Sequence, residues 1–323
     1  MIVELTLMVA GLILLWLGSG FVVDAAKRIA AALKISPMLI GLTIISIGTS
    51  LPEIMTNVIS GIKVRAGIDA SGVAIGTNIG SCLTQITLIL GIAALISRLK
   101  VRKSFIRRDG IMILFAILSL FMVGIDGTIS RMEGATLIVI YLTYLIMISQ
   151  AEDVRGKVMG EFKASIGSRS KRAAHLKTVG IMLLGIVALI FASNLVVNNA
   201  IRLAEEWNVA KSFVGVLIIG VGTGLPELST AIRAAMKRST SLSVGVLVGS
   251  NITDPLLSLG SGAVISGFTM NRGLLLFDLP YWFFASALAL LLLRKKTSIR
   301  RPQAIALIAA YVLFVVLKIG FFR

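Results

Sequence analysis

The chain is poor in the residues that most protein chemistry relies on. Among 323 residues there is one cysteine and one histidine. A single thiol, Cys82, excludes an intrachain disulfide and any cysteine-based metal cluster. His175 stands alone in a basic polar stretch and reads as a solvated side chain. Charge is scarce too. Only 15% of residues are charged, whereas 57% are hydrophobic, and the mean hydropathy is +0.97. No soluble globular class has that balance.

What the chain has instead is length of apolar run. Ten stretches recur, at about 3–23, 37–62, 71–97, 106–126, 131–150, 178–201, 211–237, 241–267, 273–293 and 302–320. Each is long enough to cross roughly 30 Å of hydrocarbon. The first has no basic n-region or small-residue cleavage site, so it reads as a span and not as a cleaved signal. The expected class is therefore an all-α, polytopic membrane protein with ten transmembrane helices.

The net charge of +17 invites a nucleic-acid reading, but the basic residues are sorted by side. With the N-terminus outside, the loops after spans 1, 3, 5, 7 and 9 hold 24 of the 32 Lys and Arg. That bias puts both termini outside and the central loop in the cytoplasm of a cell-membrane protein. The charge then serves orientation and contact with anionic lipid, and no nucleic-acid partner is expected.

The longest polar stretch divides the chain into a first five-span unit (1–150), a basic flexible linker (151–177) and a second five-span unit (178–323). The units are related. Residues 11–53 align with 185–227 without a gap, at an offset of 174. Ser19, Val22, Val23, Ala26 and Arg28 meet Ser193, Val196, Val197, Ala200 and Arg202. A second match has an offset of 169, where Gly76, Gly80, Ser81 and Gly91 meet Gly245, Gly249, Ser250 and Gly260. Five spans is an odd number, so the second unit enters the membrane from the opposite side. This is an inverted repeat, an architecture whose binding site lies at the midplane between the repeats.

The match is densest at one peptide. Gly48-Thr49-Ser50-Leu51-Pro52-Glu53 recurs as Gly222-Thr223-Gly224-Leu225-Pro226-Glu227. Each copy puts a proline and a carboxylate inside an apolar span. Pro52 and Pro226 cannot bond the carbonyls four residues back, so the helices should break near Gly48–Thr49 and Gly222–Thr223. Glu53, Glu227 and Asp254 are the acids expected deep in spans, with no basic residue at their depth. They must be neutralised by protons or by bound cations. The pairs Thr49/Glu53, Thr223/Glu227, Ser81/Gln85 and Ser250/Asp254 are each four apart and share a helix face. Carboxylate, hydroxyl and freed carbonyl oxygens are hard ligands suited to Ca²⁺. The glycines at helical spacing, Gly72, Gly76, Gly80, Gly245 and Gly249, read as close-packing positions, and Cys82 as a packing residue. The sequon at Asn251 lies inside a span and is set aside.

The duplicated GTSLPE-type motifs, each followed by a glycine-rich span with GS and a polar residue, resemble the alpha repeats of the calcium/cation antiporter superfamily. Within it they resemble the archaeal and bacterial sodium/calcium exchangers. The resemblance implies antiport of Ca²⁺ against Na⁺ with no organic cofactor and no enzymatic step. It implies Ca²⁺ at Glu53, Glu227, Thr49 and Thr223, the threonines through their carbonyls. It implies Na⁺ or flanking cation sites at Ser50, Ser81, Ser250, Gln85 and Asp254. Gly224 departs from the usual serine, so one flanking Na⁺ site lacks a hydroxyl, and Gln85 departs from the usual asparagine; both bear on Na⁺ stoichiometry or selectivity. The nearest rival keeps the fold and couples to H⁺ or K⁺. Threonine at 49 and 223, where the proton-coupled branch carries asparagine, argues against H⁺. A cation channel with an acidic filter needs no inverted repeat, and an intramembrane hydrolase would need a water-activating metal or an aspartyl pair, yet no second Asp or His is expected at depth.

Overall fold

The computed structural model describes residues 2–15, 17, 41–101, 103–150, 169–296 and 298–321. Apolar sequence in long uninterrupted runs becomes helix, because a helix satisfies its own backbone groups where water cannot. The described helices are α1 (Ile2–Leu15), α2 (Ser46–Thr49), α3 (Leu51–Arg65), α4 (Ser71–Ile96), α5 (Ile111–Val123) and α6 (Arg131–Gln150). They continue as α7 (Arg169–Glu206), α8 (Gly220–Thr223), α9 (Leu225–Met236), α10 (Thr240–Ser266), α11 (Leu274–Arg294) and α12 (Arg301–Phe321). Among the described residues, six helical runs are long and apolar enough to cross a membrane: α4, α6, Lys211–Met236, α10, α11 and α12.

The linker reading needs a correction. Helix α7 begins at Arg169, so residues 169–177 are helical and not flexible chain. No glycine or proline interrupts residues 169–179, and nothing stops the helix from extending out of the apolar run. The remainder of the linker, 151–168, and the matched residues Ser19, Val22, Val23, Ala26 and Arg28 lie outside the described residues.

Repeat-related positions adopt the same local distortions. A π-helical turn at Gly41–Ile45 has a counterpart at Gly215–Ile219. Thr84–Ile89 corresponds to Asp254–Ser258, and Ile106–Gly110 to Leu274–Asp278. Such turns free backbone groups and are frequent at functional sites. Four two-residue strands also come in related pairs, and they cross over. Strand β1 (Leu99–Lys100) pairs antiparallel with β4 (Ser298–Ile299), and β2 (Thr128–Ile129) with β3 (Phe268–Thr269). Each pairing joins the first unit to the second.

The core glycines do what their spacing suggested. A Cβ on Gly80 would lie 2.1 Å from the Val216 carbonyl oxygen, and one on Gly220 would lie 2.6 Å from the Ser81 nitrogen. A Cβ on Gly249 would lie 2.9 Å from the Leu42 Cα. Helix α4 therefore packs backbone to backbone on the run before Gly224, and α10 on the run before Ser50. Small residues permit this approach, which brings the two motif peptides together.

Burial adds charges that position along the spans did not reveal. Asp109, Asp278 and Lys318 are all buried. Lys318 forms an ion pair with Asp278, whereas Asp109 takes Arg108 and the Tyr144 hydroxyl. Lys318 lies beside the end of its span, and only packing shows that this end is covered.

Gly80→Ala should be strongly destabilising, because the obstacle is a backbone carbonyl that cannot move aside. Overpacking of this kind costs about 1–3 kcal/mol. Thermal unfolding in detergent should show a clear fall in Tm for Gly80→Ala and little change for Gly273→Ala, whose added Cβ meets only Asn271 Oδ1 at 3.5 Å.

Candidate ion-binding site

The helix breaks fall at Ser50 and Gly224, one or two residues later than the expected positions. Ser50 has φ −78° and ψ 4°, and Gly224 has φ −73° and ψ 0°. The reason is that proline tolerates the first turn of a new helix, where its missing N–H costs nothing. Pro52 and Pro226 sit in the first turns of α3 and α9, so the interruption lies ahead of them. Glu53 and Glu227 then occupy those same first turns. Helix N-termini favour negative charge, which offsets part of the desolvation that burial imposes. The carbonyls of Gly48 and Gly222 lose the partner that each proline would have supplied.

The two glutamates are fully buried and similarly held. Ser81 Oγ donates to Glu53 Oε1 at 2.7 Å, and Ser250 Oγ donates to Glu227 Oε1 at 3.3 Å. The motifs also cross. Glu53 lies within electrostatic range of Glu227, Asp254 and the Thr223 hydroxyl. Glu227 lies within range of Asp254 and the Thr49 hydroxyl, and Asp254 within range of Ser50. Each threonine thus serves the other repeat's glutamate. Four buried oxygens here have no hydrogen-bonding partner: Ser50 Oγ, Glu53 Oε2, Glu227 Oε2 and Asp254 Oδ1.

Gln85 is tied into a directed chain. Trp282 Nε1 donates to Asn251 Oδ1 at 3.1 Å, and Asn251 Nδ2 donates to Gln85 Oε1 at 2.9 Å. Gln85 Nε2 then donates to Ser81 Oγ at 2.9 Å and to Asp254 Oδ2 at 3.3 Å. The direction is fixed from both ends, since an indole N–H can only donate and a carboxylate can only accept. Gln85 consequently turns its amide nitrogen, not its oxygen, to Asp254. Cys82 Sγ lies 3.6 Å from Asp254 Oδ2.

The structure brings together all nine residues expected at the site. The sequence reading missed Asn251, Trp282 and the part played by Cys82. Asn251 is the counterpart of Cys82 at the offset of 169, and that was the available signal. Nothing in the sequence marked Trp282.

Chemically, three buried carboxylates face one another, and none of them forms an ion pair with Lys or Arg among the described residues. Nor do three His, Cys, Asp or Glu side chains there form a preformed metal cluster. The carboxylates supply charge, and serine, threonine and backbone oxygens must complete any shell. That donor set suits a hard cation.

A profile of the sodium/calcium exchanger protein family matches residues 3–150 and 177–320. The chain belongs to that family. A putative antiporter of Alkalimonas amylolytica, CaxA, is 31% identical over 320 residues, covering 97% of each chain. The sodium/calcium exchanger MaX1 of Methanosarcina acetivorans is 27% identical over 347 residues, covering 97% of this chain and 98% of that one. The solved sodium-calcium exchanger NCX_Mj superposes with a TM-score of 0.67 at 27% identity, covering 100% of this chain and 99% of that chain. The family is one of cation antiporters, so the buried oxygens sit in a transporter.

Trp282→Phe keeps the ring but removes the donor that anchors the chain. Asn251 Oδ1 is then left buried and unpaired, at a cost of about 1–3 kcal/mol. A lowered Tm is the expected outcome, with Trp282→Leu falling further. An unchanged Tm for Trp282→Phe would mean that the chain does not hold Asn251 and Gln85 in place.

Proposed function

We propose that the protein is a secondary antiporter that exchanges Ca²⁺ for Na⁺ by alternating access. One observation carries the reading. Three mutually facing buried carboxylates lie beside repeat-related hydroxyls, with one oxygen of each unpartnered and, among the described residues, no cationic side chain paired with them. One divalent ion or several monovalent ions can satisfy such a set, and sharing of the carboxylates makes the two occupancies exclusive. Exclusive occupancy couples the fluxes.

In this reading Glu53 and Glu227 bind Ca²⁺ with the carbonyls of Thr49 and Thr223. Ser50, Ser81, Ser250 and Asp254 form flanking Na⁺ sites, and Gln85 acts by orienting Asp254. Ten spans form two inverted five-helix units. The paired helix breaks, the three pairs of π-helical turns and the crossed strands support that arrangement. Both termini face outside a cell membrane, as the basic loops suggest. Its partners in this reading are the transported cations and the surrounding lipid.

Coupling to H⁺ or K⁺ is the second reading, and Gly224 favours it. Where Ser50 offers a hydroxyl, the second motif offers none, and Gln85 has its oxygen engaged by Asn251. Both features remove oxygens that Na⁺ could use. Ca²⁺ uptake into vesicles under imposed Na⁺, K⁺ or pH gradients separates the readings, with uptake expected to follow the Na⁺ gradient. Glu53→Gln or Glu227→Gln should abolish that uptake. Each should leave apparent thermal stability without Ca²⁺ equal or higher, since a buried charge is removed at nearly constant shape.

Space exists for the missing hydroxyl. A Cβ on Gly224 would sit 3.4 Å from the Gly220 oxygen and 3.6 Å from Ser81 Oγ, ordinary contact distances at an ordinary φ. Gly224→Ser should therefore lower the half-saturating Na⁺ concentration in Na⁺-dependent Ca²⁺ efflux. An unchanged value with turnover intact would show that the absent hydroxyl does not limit Na⁺ binding.

A further inference from the structure

Ten buried side-chain oxygens among the described residues lack a hydrogen-bonding partner. Four belong to the site above. Four more lie on α3 and α4: Asn57 Oδ1, Ser60 Oγ, Thr77 Oγ1 and Asn78 Oδ1. An orphaned buried polar atom is costly, so four on the two arms of one hairpin call for a cause.

Their placement is not scattered. Helices α3 and α4 form an antiparallel hairpin joined by residues 66–70, and they meet at the Ser81–Glu53 hydrogen bond. Asn57 and Ser60 lie four and seven residues beyond Glu53, on its face of α3. Thr77 and Asn78 lie four and three residues before Ser81, on its face of α4. All four therefore run from the site toward the end of the hairpin that carries residues 66–70. Each is fully buried. Asn57 also donates to Ser258 Oγ at 2.9 Å, so its amide nitrogen is occupied while its oxygen stays free.

The other repeat provides an internal control. The positions equivalent to Asn57 and Ser60 at the offset of 174 are Ala231 and Ala234. The positions equivalent to Thr77 and Asn78 at the offset of 169 are Val246 and Leu247. All four counterparts are buried and apolar. The fold thus does not demand polarity here, because the same architecture is built without it a few helices away.

We infer that Asn57, Ser60, Thr77 and Asn78 form an uncharged, oxygen-lined station that takes water and a partly hydrated monovalent cation between the carboxylate site and the 66–70 end of the molecule. Ala231, Ala234, Val246 and Leu247 are its dry counterpart, a hydrophobic seal on the route to the opposite face. Neutral hydroxyl and amide oxygens can replace part of the hydration shell of Na⁺. They carry no charge to hold Ca²⁺, which keeps the station a passage and not a trap. The two routes then differ in their barrier: one is lined for hydrated ions, and the other must be wetted or opened before it conducts. This inference rests on the transport reading of the Glu53–Glu227 site.

The test writes the residues of the sealed route into the polar one. Ser60→Ala and Asn78→Leu, singly and together, should slow Na⁺-dependent Ca²⁺ flux in vesicles by about tenfold or more, as expected for loss of a polar lining. Equilibrium Ca²⁺ binding to the purified protein should stay within about twofold, because no site oxygen is touched. Ser60→Ala loses no hydrogen bond, so it should fold even if Asn78→Leu does not. Wild-type flux in Ser60→Ala overturns the role of that hydroxyl, and wild-type flux in the double variant overturns the station. A second measurement does not depend on transport. Ser60→Cys should react with a small cationic thiosulfonate far faster than Ala234→Cys, with wild type as the control for Cys82. Equal reaction of the two overturns the asymmetry. If wild type shows no exchange at all, the transport reading fails, while the labelling contrast still reports on the station.

Discussion

Uncompensated negative charge at the centre of an apolar molecule is the constraint to which the rest of the structure answers. Glu53, Glu227 and Asp254 are fully buried and face one another. Three ionised carboxylates could not persist there without something to balance them. The protein balances them only in part. It places two at helix N-termini, gives each glutamate a serine donor, and directs the Trp282–Asn251–Gln85 chain at the third. In the proposed reading that residual deficit is what a bound cation would balance, a part that a buried lysine of the Lys318 type would otherwise take. That lysine sits elsewhere, against Asp278.

Much of this was legible in the sequence because it depends on residues that are out of place. A carboxylate or proline in an apolar span is conspicuous, and finding each twice at a fixed offset is more so. Composition gave the class, and the glycine spacing gave the helix contacts, since Gly80 and Gly249 do meet a facing backbone. What stayed hidden depends on packing between distant segments. Asn251 reads as an unremarkable polar residue until Trp282 and Gln85 close on it from other helices. Lys318 reads as a span-end residue until Asp278 covers it. The break positions slipped by a residue or two because proline names the helix that it begins, not the residue where the previous helix stops.

The repeat is close in backbone but looser in side chains, and the differences cluster where function can use them. Breaks, π-helical turns and strands recur almost in register. Ser50 and Gly224, Gln85 and Asp254, Cys82 and Asn251 do not match. A symmetric scaffold lets two faces of one site be reached by related routes, whereas asymmetric side chains let those routes and the ions on them differ.

The crossed strand pairs bear on how the molecule is made. Leu99 finds its partner only at Ile299, and Ile129 only at Phe268. The groove of Gly72, Gly76 and Gly80 is filled by residues beyond 210. During synthesis the first half of the chain therefore emerges with two unpaired strand edges, an empty glycine groove and a lone glutamate, Glu53. It must wait in the bilayer for a chain of similar length to complete it. Long-range contacts of this kind assemble late and leave unfinished surfaces exposed. The nascent first unit is thus the stage of biogenesis at which a membrane chaperone, or a second copy of the same unit, has most to bind.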